Sequence, residues 1–173
     1  AVSIPLGGRV LQYLGLFTPP KQRLTAAKKI KLILQLLPDL ERQAITHKGR
    51  DWEAPLAAWA QAIDQMLAQR DAGRLELPMK GHGYLYAILA GMADKFEGQA
   101  EQQREQELTA LKREWGTAWN ENVALGSNAA RQFGLDEEKL TKIENAIGTK
   151  EMMGLMARIG RGLTEHNFEG GKS

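Results

Sequence analysis

The chain has 173 residues, of which 43% are hydrophobic and 25% charged, an ordinary composition for a folded globular protein. It contains no cysteine, which excludes disulfide bridges, thiolate nucleophiles and cysteine-based zinc sites. No apolar run approaches the roughly 18 residues of a membrane span, and residues 1–16 lack the pattern of a signal peptide. We therefore expect a cytoplasmic protein without membrane contact.

The net charge of +2 conceals an uneven distribution along the chain. Residues 1–50 hold nine basic and two acidic side chains, whereas residues 51–105 hold five basic and nine acidic ones. Basic side chains on one surface can neutralise the phosphates of DNA or RNA, although such runs are more often the solvated face of a helix. An acidic protein partner would use the same charges. The candidate nucleic-acid contacts are Arg23, Lys28, Lys29, Lys31, Lys48 and Arg50.

The first predicted elements are helical. Apolar residues before Pro19-Pro20 indicate a short helix or turn, and Thr25 is suited to cap the next helix. Pro38 is compatible with this helix if residues 39–46 form a separate helix or a kinked continuation. Residues 47–50 then form a loop. Apolar spacing of three or four predicts one buried face, made of Ile30, Ile33, Leu34, Leu37 and Leu40.

Pro55 is suited to begin a third helix, which stops near residues 71–73. Residues 74–79 then alternate between apolar and other side chains, which could indicate one short edge strand. A glycine-containing segment, 80–83, leads into a fourth helix. The predicted buried stripe of the third helix is Leu56, Trp59, Ile63 and Met66 or Leu67.

A polar stretch over residues 99–107 separates two parts of the chain and is either a linker or a solvated helix. We predict a basic-start helical domain over residues 1–98 and a helical C-terminal region over residues 108–173. The fold class is therefore mostly all-α: a compact N-terminal helical domain that could include one short strand, a helical extension and a C-terminal helical hairpin.

The C-terminal hairpin has the clearest local signals. Asp136 is suited to cap its first helix, and Leu135 can pack on Leu140 one turn later. Gly148 is suited to the left-handed position after that helix, and Thr149 to capping the next one. Leu140, Ile143 and Ile147 are predicted to form the buried face of the first helix.

No catalytic, metal or cofactor site is predicted. His47, His82 and His166 lie in predicted loops or the tail, without a second ligand at metal-binding spacing. Residues 80–84 lack the strand and helix context of a phosphate loop. The four tryptophans fall at helical spacing from other apolar residues, which favours core packing over ligand stacking. We therefore expect a binding protein that is not an enzyme.

The last third of the chain carries an ordered set of short motifs. They are Leu111-Lys112-Arg113-Glu114-Trp115-Gly116, Asn120-Glu121-Asn122-Val123-Ala124-Leu125, Phe133-Gly134, Ala146-Ile147-Gly148 and Ile159-Gly160-Arg161-Gly162-Leu163 to Phe168. Over about residues 108–170 this set resembles the C-terminal region of tailed-bacteriophage capsid scaffolding proteins. Residues 9–105 resemble uncharacterised small proteins of bacterial mobile elements and depart from the long, poorly ordered stretch usual in scaffolding proteins.

The resemblance implies a non-enzymatic assembly protein in the cytoplasm of a bacterial host cell, which binds the major capsid protein through its C-terminal helices. One alternative is a mobile-element nucleic-acid-binding protein that acts through its basic N-terminal domain. Another is an inhibitor of a host complex. A homo-oligomer is compatible with each. The candidate capsid or protein contacts are Lys150, Arg158, Arg161 and Phe168.

Overall fold

The computed structural model describes the backbone of residues 5–169 and the side chains of residues 5–165. Within this range the fold is mostly all-α, as predicted, with one small β-hairpin. No helix of the described residues is long and apolar enough to cross a lipid bilayer. The helices are α1 (Leu6–Leu14), α2 (Ala26–Arg42), α3 (Leu56–Asp71), α4 (Gly83–Trp115), α5 (Trp119–Gln132), α6 (Glu137–Ile147) and α7 (Thr149–Glu169).

The chain divides into two compact units, residues 1–97 and 98–173. Helix α4 begins in the first unit and ends in the second. The polar stretch over residues 99–107 is a helical part of α4, and the side chains from residue 94 to residue 106 are all exposed. A helix with nothing to bury on any side is a solvated one.

The core of the N-terminal unit is built around Trp59, whose side chain is fully buried. Its indole N–H donates a hydrogen bond to the carbonyl oxygen of Ala54 at 3.0 Å. This bond satisfies the polar atom of the ring, so that the large apolar surface is buried without an unpaired donor. The other fully or almost fully buried large side chains of this unit are Tyr13, Leu14, Leu16, Phe17, Leu36, Ile45, Ile63, Met66, Leu85 and Leu89.

The strand prediction was wrong in its position. Helix α2 continues through Pro38 to Arg42, and strand β1 (Ala44–His47) then pairs antiparallel with strand β2 (Arg50–Glu53). Lys48 and Gly49 connect the strands with φ angles of 49° and 75°, the backbone that a two-residue hairpin requires. Residues 74–79 form no strand, because no neighbouring strand is available: the Met79 amide donates to the Leu16 carbonyl instead.

The buried face predicted for α2 was also largely wrong. Leu32 and Leu36 are its buried residues, with Ile33 and Leu40 partly buried. At 3.6 residues per turn, the predicted residues Ile30, Leu34 and Leu37 lie roughly 100–160° around the helix from Leu32 and Leu36. The helix therefore has two apolar faces, and spacing alone did not indicate which one the core would cover. The side chains left exposed are Ile30, Leu34 and Leu37.

Smaller departures occur on α3 and α6. Leu56 is 45% exposed, although the rest of the predicted α3 stripe is buried. No side chain of α6 is fully buried: Leu140 and Ile143 are half-buried, and Ile147 is exposed. Its main packing partner is α7, which leaves much of the apolar face of α6 accessible.

Two predicted helix caps are confirmed. The Thr25 hydroxyl accepts a hydrogen bond from the Lys28 amide at 3.3 Å, and the Asp136 carboxylate accepts one from the Lys139 amide at 2.9 Å. Gly148 has a φ of 89°, which an L-residue with a side chain rarely adopts. Such signals lie within a few residues of the helix end, so they can be predicted from local sequence.

The C-terminal unit depends on close packing of α5 against α7. Ala129 and Ala130 on α5, and Met156 and Ala157 on α7, are buried. A Cβ atom added at Gly160 would lie 2.1 Å from the Leu125 carbonyl oxygen. The two helices can therefore approach this closely only because residue 160 has no side chain.

We expect Gly160→Ala to destabilise the chain by about 1–3 kcal/mol, the usual range for overpacking a core. Gly162→Ala is the matched control, because it lies on the same helix and no heavy atom would lie within 4 Å of its added Cβ. That change should stabilise α7 by up to about 1 kcal/mol through helix propensity. Urea unfolding followed by circular dichroism measures both, and equal stabilities would contradict the packing described.

Candidate binding groove in the C-terminal unit

A groove of about 190 Å³ lies within the C-terminal unit and is lined by residues of α4, α5 and α7. Three of the four side chains predicted as protein contacts, Lys150, Arg158 and Arg161, line this groove. The side chain of the fourth, Phe168, lies outside the described residues. The three basic residues, which all lie on α7, therefore line the same groove.

Helical spacing explains why these residues meet. Lys150, Gly154 and Arg161 recur at intervals of four and seven residues, so they lie on one side of α7. Leu111, Glu114 and Trp115 occupy one side of α4 for the same reason, and Leu111 is 2% exposed. Gly154 leaves the middle of the α7 side without a side chain and so keeps the groove open.

The three basic groups of the groove differ in how their charge is compensated. The Lys150 ammonium lies 2.6 Å from the Glu114 carboxylate, and this hydrogen bond raises the pKa of the lysine. Arg161 donates to the side-chain oxygen of Asn122 at 2.8 Å, a neutral acceptor that leaves its charge uncompensated. Arg158 forms no salt bridge within the described residues. Arg158 and Arg161 are therefore the groove's available cations.

Two indole rings lie at the end of α4 and the start of α5. The centroids of Trp115 and Trp119 are 5.4 Å apart, and Lys112 lies over the Trp119 ring at 5.4 Å. Both tryptophans are half-buried. We predicted core packing for all four tryptophans, and of the four Trp59 is the one that is fully buried. Trp115 lines the groove and presents apolar surface beside the arginines.

Glu107 caps the start of helix α7, a role that the sequence did not indicate. Its carboxylate accepts hydrogen bonds from the Lys150 backbone amide at 3.0 Å and from the Gln103 side chain at 3.1 Å. These bonds, the Lys150 amide first, lower the pKa of Glu107. The prediction that Thr149 caps α7 was therefore wrong: Glu107, far away in sequence, is the cap. The Thr149 hydroxyl donates to the Glu144 carboxylate instead.

The three lysines of α2 predicted for nucleic-acid binding do not share one face of the helix. Lys28 and Lys31 lie about 60° apart around α2, whereas Lys29 lies about 160° from Lys31. Arg50 is already engaged: it forms a salt bridge of 2.6 Å with Glu97 and lies over the Trp52 ring at 3.8 Å. Arg23, Lys28, Lys29, Lys31 and Lys48 are exposed, and none forms a salt bridge within the described residues.

His82 lies in a cluster of rings in the N-terminal unit. The Tyr13 hydroxyl is 2.7 Å from its Nδ1 atom, and the Gln35 side-chain oxygen is 3.2 Å from Nε2. Tyr13 and Tyr86 stack on it, and burial lowers its pKa. The described residues contain no group of three or more His, Cys, Asp or Glu that could hold a metal ion. The geometry of His82 is that of a packed and hydrogen-bonded side chain.

Comparison with known proteins bears on the N-terminal unit only. Residues 1–81 match the model of the family HI_1489_N, described as an N-terminal domain. No curated protein matches the chain, and neither does any solved structure. The groove lies in the part of the chain that the family match does not reach.

The Glu107 cap predicts a pH-dependent stability. Glu107→Gln should lose on the order of 1 kcal/mol at neutral pH, the usual contribution of a helix cap, because the charged acceptor at the start of α7 is gone. Since the folded-state pKa is lowered, the stabilisation is present above the usual carboxyl pKa of about 4.5 and is lost as the pH falls through the folded value.

The matched control is Glu105→Gln, because Glu105 is exposed and has no hydrogen bond or salt bridge to another side chain among the described residues. Urea unfolding at several pH values measures the free energy of unfolding. The difference between the native chain and Glu107→Gln should shrink in acid. A difference that persists there, or an equal loss in Glu105→Gln, would contradict the cap.

Proposed function

We propose that the chain is a non-enzymatic binding protein whose C-terminal groove accepts an acidic segment of a protein partner. The proposal depends on one observation: the Arg158 guanidinium lines the groove and has no ion-pair partner among the described residues. Arginine can bind a carboxylate through two parallel hydrogen bonds, which gives both strength and orientation. A partner carboxylate is the group that this position lacks.

The neighbouring side chains support the same reading. Arg161 donates a hydrogen bond to the neutral Asn122 oxygen and forms no salt bridge among the described residues, so it can add a second positive charge toward the partner. Trp115 supplies apolar surface, and tryptophan and arginine are the residues most enriched at the energetic centres of interfaces. Lys150 is neutralised by Glu114, so we assign it a smaller part.

We further propose a major capsid protein as the partner, in an assembly role like that of a scaffolding protein. The support is the resemblance of about residues 108–170 to that family, together with the convergence of three of its candidate contacts on one groove. Charge-based contacts on an open groove suit a temporary complex, because exposed charges influence association rate and specificity more than affinity.

A second candidate function is nucleic-acid binding by the N-terminal unit. It is favoured by the exposed basic residues that have no salt bridge among the described side chains, Lys28 and Lys31 in particular. Lys29, however, lies about 160° around α2 from Lys31, and Arg50 is engaged by Glu97. Fewer aligned contacts therefore remain for a phosphate backbone. We therefore rank it below binding by the groove.

The proposal predicts that Arg158→Ala and Arg161→Ala each weaken binding to the major capsid protein at least about tenfold, which corresponds to about 1.4 kcal/mol. Lys139→Ala and Lys142→Ala are matched controls, because both lysines are exposed on α6 and neither lines the groove. Isothermal titration calorimetry with the full chain measures the affinities, which should also fall as salt is added.

A glutamate-rich peptide serves as a second probe in the same titration. If the chain binds the peptide through Arg158 but does not bind capsid protein, the result supports the groove as a binding site and rejects capsid protein as the partner. Unchanged binding in both arginine variants would overturn the groove. Binding to duplex DNA or to RNA that Lys28→Glu abolishes and Arg158→Ala does not would favour the second candidate function.

A further inference from the structure

His82 joins three helices of the N-terminal unit at the point where α4 begins. Its ring stacks on Tyr13 of α1, with centroids 5.8 Å apart, and on Tyr86 of α4, with centroids 6.4 Å apart. Phe17 meets the same ring edge-on at 5.4 Å. The Nε2 atom lies 3.2 Å from the side-chain oxygen of Gln35 on α2. One side chain therefore holds the start of α4 against α1 and α2.

The hydrogen bonds of His82 fit the neutral ring. The Gln35 oxygen is an acceptor, so it requires a proton on Nε2. A neutral imidazole carries one N–H, which leaves Nδ1 as an acceptor. The Tyr13 hydroxyl, 2.7 Å away, can then donate to Nδ1. Both ring nitrogens and the tyrosine proton are therefore satisfied when His82 is neutral.

A second proton on the ring would break this arrangement. An Nδ1–H group would donate to the Tyr13 oxygen, and the Tyr13 proton would have to turn away. Tyr13 is fully buried, and its hydroxyl makes no other hydrogen bond among the described residues. A buried donor without an acceptor destabilises the folded state. The aromatic faces around the ring attract a cation, but they supply no oxygen or nitrogen acceptor for this proton.

The charges near His82 do not compensate a positive charge on its ring. Two exposed lysines of α2 lie within about 40° of Gln35 around the helix. The Asp39 carboxylate lies on the same side, but it is already engaged by Arg42 at 2.8 Å and by the Tyr86 hydroxyl. The titratable and charged side chains next to His82 on these elements, the two lysines included, are Tyr13, Lys28, Lys31, Asp39, Lys80 and Tyr86.

Glycines on both sides of His82 give its backbone freedom to move. Neither Gly81 nor Gly83 has a positive φ. A Cβ atom added at either position would have no heavy atom within 4 Å. Neither close packing nor a left-handed backbone therefore requires glycine here, and its remaining effect is conformational freedom. Residues 72–82 also form neither helix nor strand.

We propose that residues 79–83 are a pH-sensitive latch, which neutral His82 holds against α1 and α2 and which opens when the ring is protonated. Opening exposes the faces of Tyr13 and Phe17 that His82 covers. The Met79 amide, which donates to the Leu16 carbonyl at 2.8 Å, anchors the other end of the latch. This inference concerns the N-terminal unit and does not rest on the C-terminal groove.

The direction of the pH dependence follows from burial. Burial lowers the pKa of His82 from its ordinary value of 6.5, and the Leu32 carbonyl opposes this with a smaller effect. The closed latch therefore binds a proton less readily than the open one. Closing is fully favoured above about pH 6.5, and it weakens as the pH falls through the lower pKa of the closed form.

Amide hydrogen exchange of the full chain, followed by NMR from about pH 8 to about pH 5, tests the latch. We expect the protection of the Met79 amide, corrected for the intrinsic exchange rate, to fall as His82 is protonated. The Ala54 amide, bonded to the Gln43 carbonyl in the same unit, should keep its protection. Constant protection at Met79, or an equal loss at both amides, would overturn the proposal.

His82→Gln tests whether this histidine is the group that senses pH. Glutamine can still donate and accept hydrogen bonds but does not titrate, so protection at Met79 should no longer depend on pH in this range. His47→Gln is the matched control, because His47 lies on β1 and has no hydrogen bond to another side chain among the described residues. That variant should keep the pH dependence of the native chain. A pH dependence that survives in His82→Gln, or that His47→Gln removes, would contradict the latch.

Discussion

The contact between Gly160 and the Leu125 carbonyl is the constraint on which the C-terminal unit depends. The distance available there is too short for any side chain, so α5 and α7 meet almost backbone to backbone. This approach also brings Asn122, one turn before Gly126, within 2.8 Å of Arg161. The width of the groove and the position of its arginines therefore follow from the absence of one methyl group.

Helix α4 explains how a strongly polar stretch can be part of an ordered fold. Most of its middle section is exposed, yet a few of its side chains hold the junction between α6 and α7. Glu107 accepts from the first turn of α7, and Arg104 forms a salt bridge of 3.1 Å with Glu144. The solvated helix thus stabilises the end of the hairpin that carries Lys150, although it buries little surface itself.

Sequence predicted those features whose causes are local. The helix caps at Thr25 and Asp136 and the positive φ of Gly148 depend on neighbours within one turn. The covered face of α2 could not be predicted, because two apolar faces compete and only the tertiary packing selects Leu32 and Leu36. The hairpin over residues 44–53 was missed, since each strand has four residues and its Lys48-Gly49 turn lacks the usual Asn or Asp.

The groove could be predicted only in part. The sequence predicts Lys150, Arg158 and Arg161 as contacts. The positions of Trp115, Asn122 and Glu107 beside α7 depend on residues far apart in sequence, which no local pattern indicates. The likeness to scaffolding proteins stays a prediction, because the family match ends at residue 81 and does not reach the groove. The groove is therefore a proposed binding surface, supported by its geometry and charge.

Site-specific photocrosslinking in the native host tests the central claim, that recognition takes place in the groove. A crosslinking side chain replaces Glu151, which lines the groove, and in a separate chain Lys142, which lies on α6 outside it. We expect one discrete crosslinked partner from position 151, lost when Arg158→Ala is added, and none from position 142. Equal yields from the two positions, or a yield at 151 that Arg158→Ala leaves unchanged, would contradict the account.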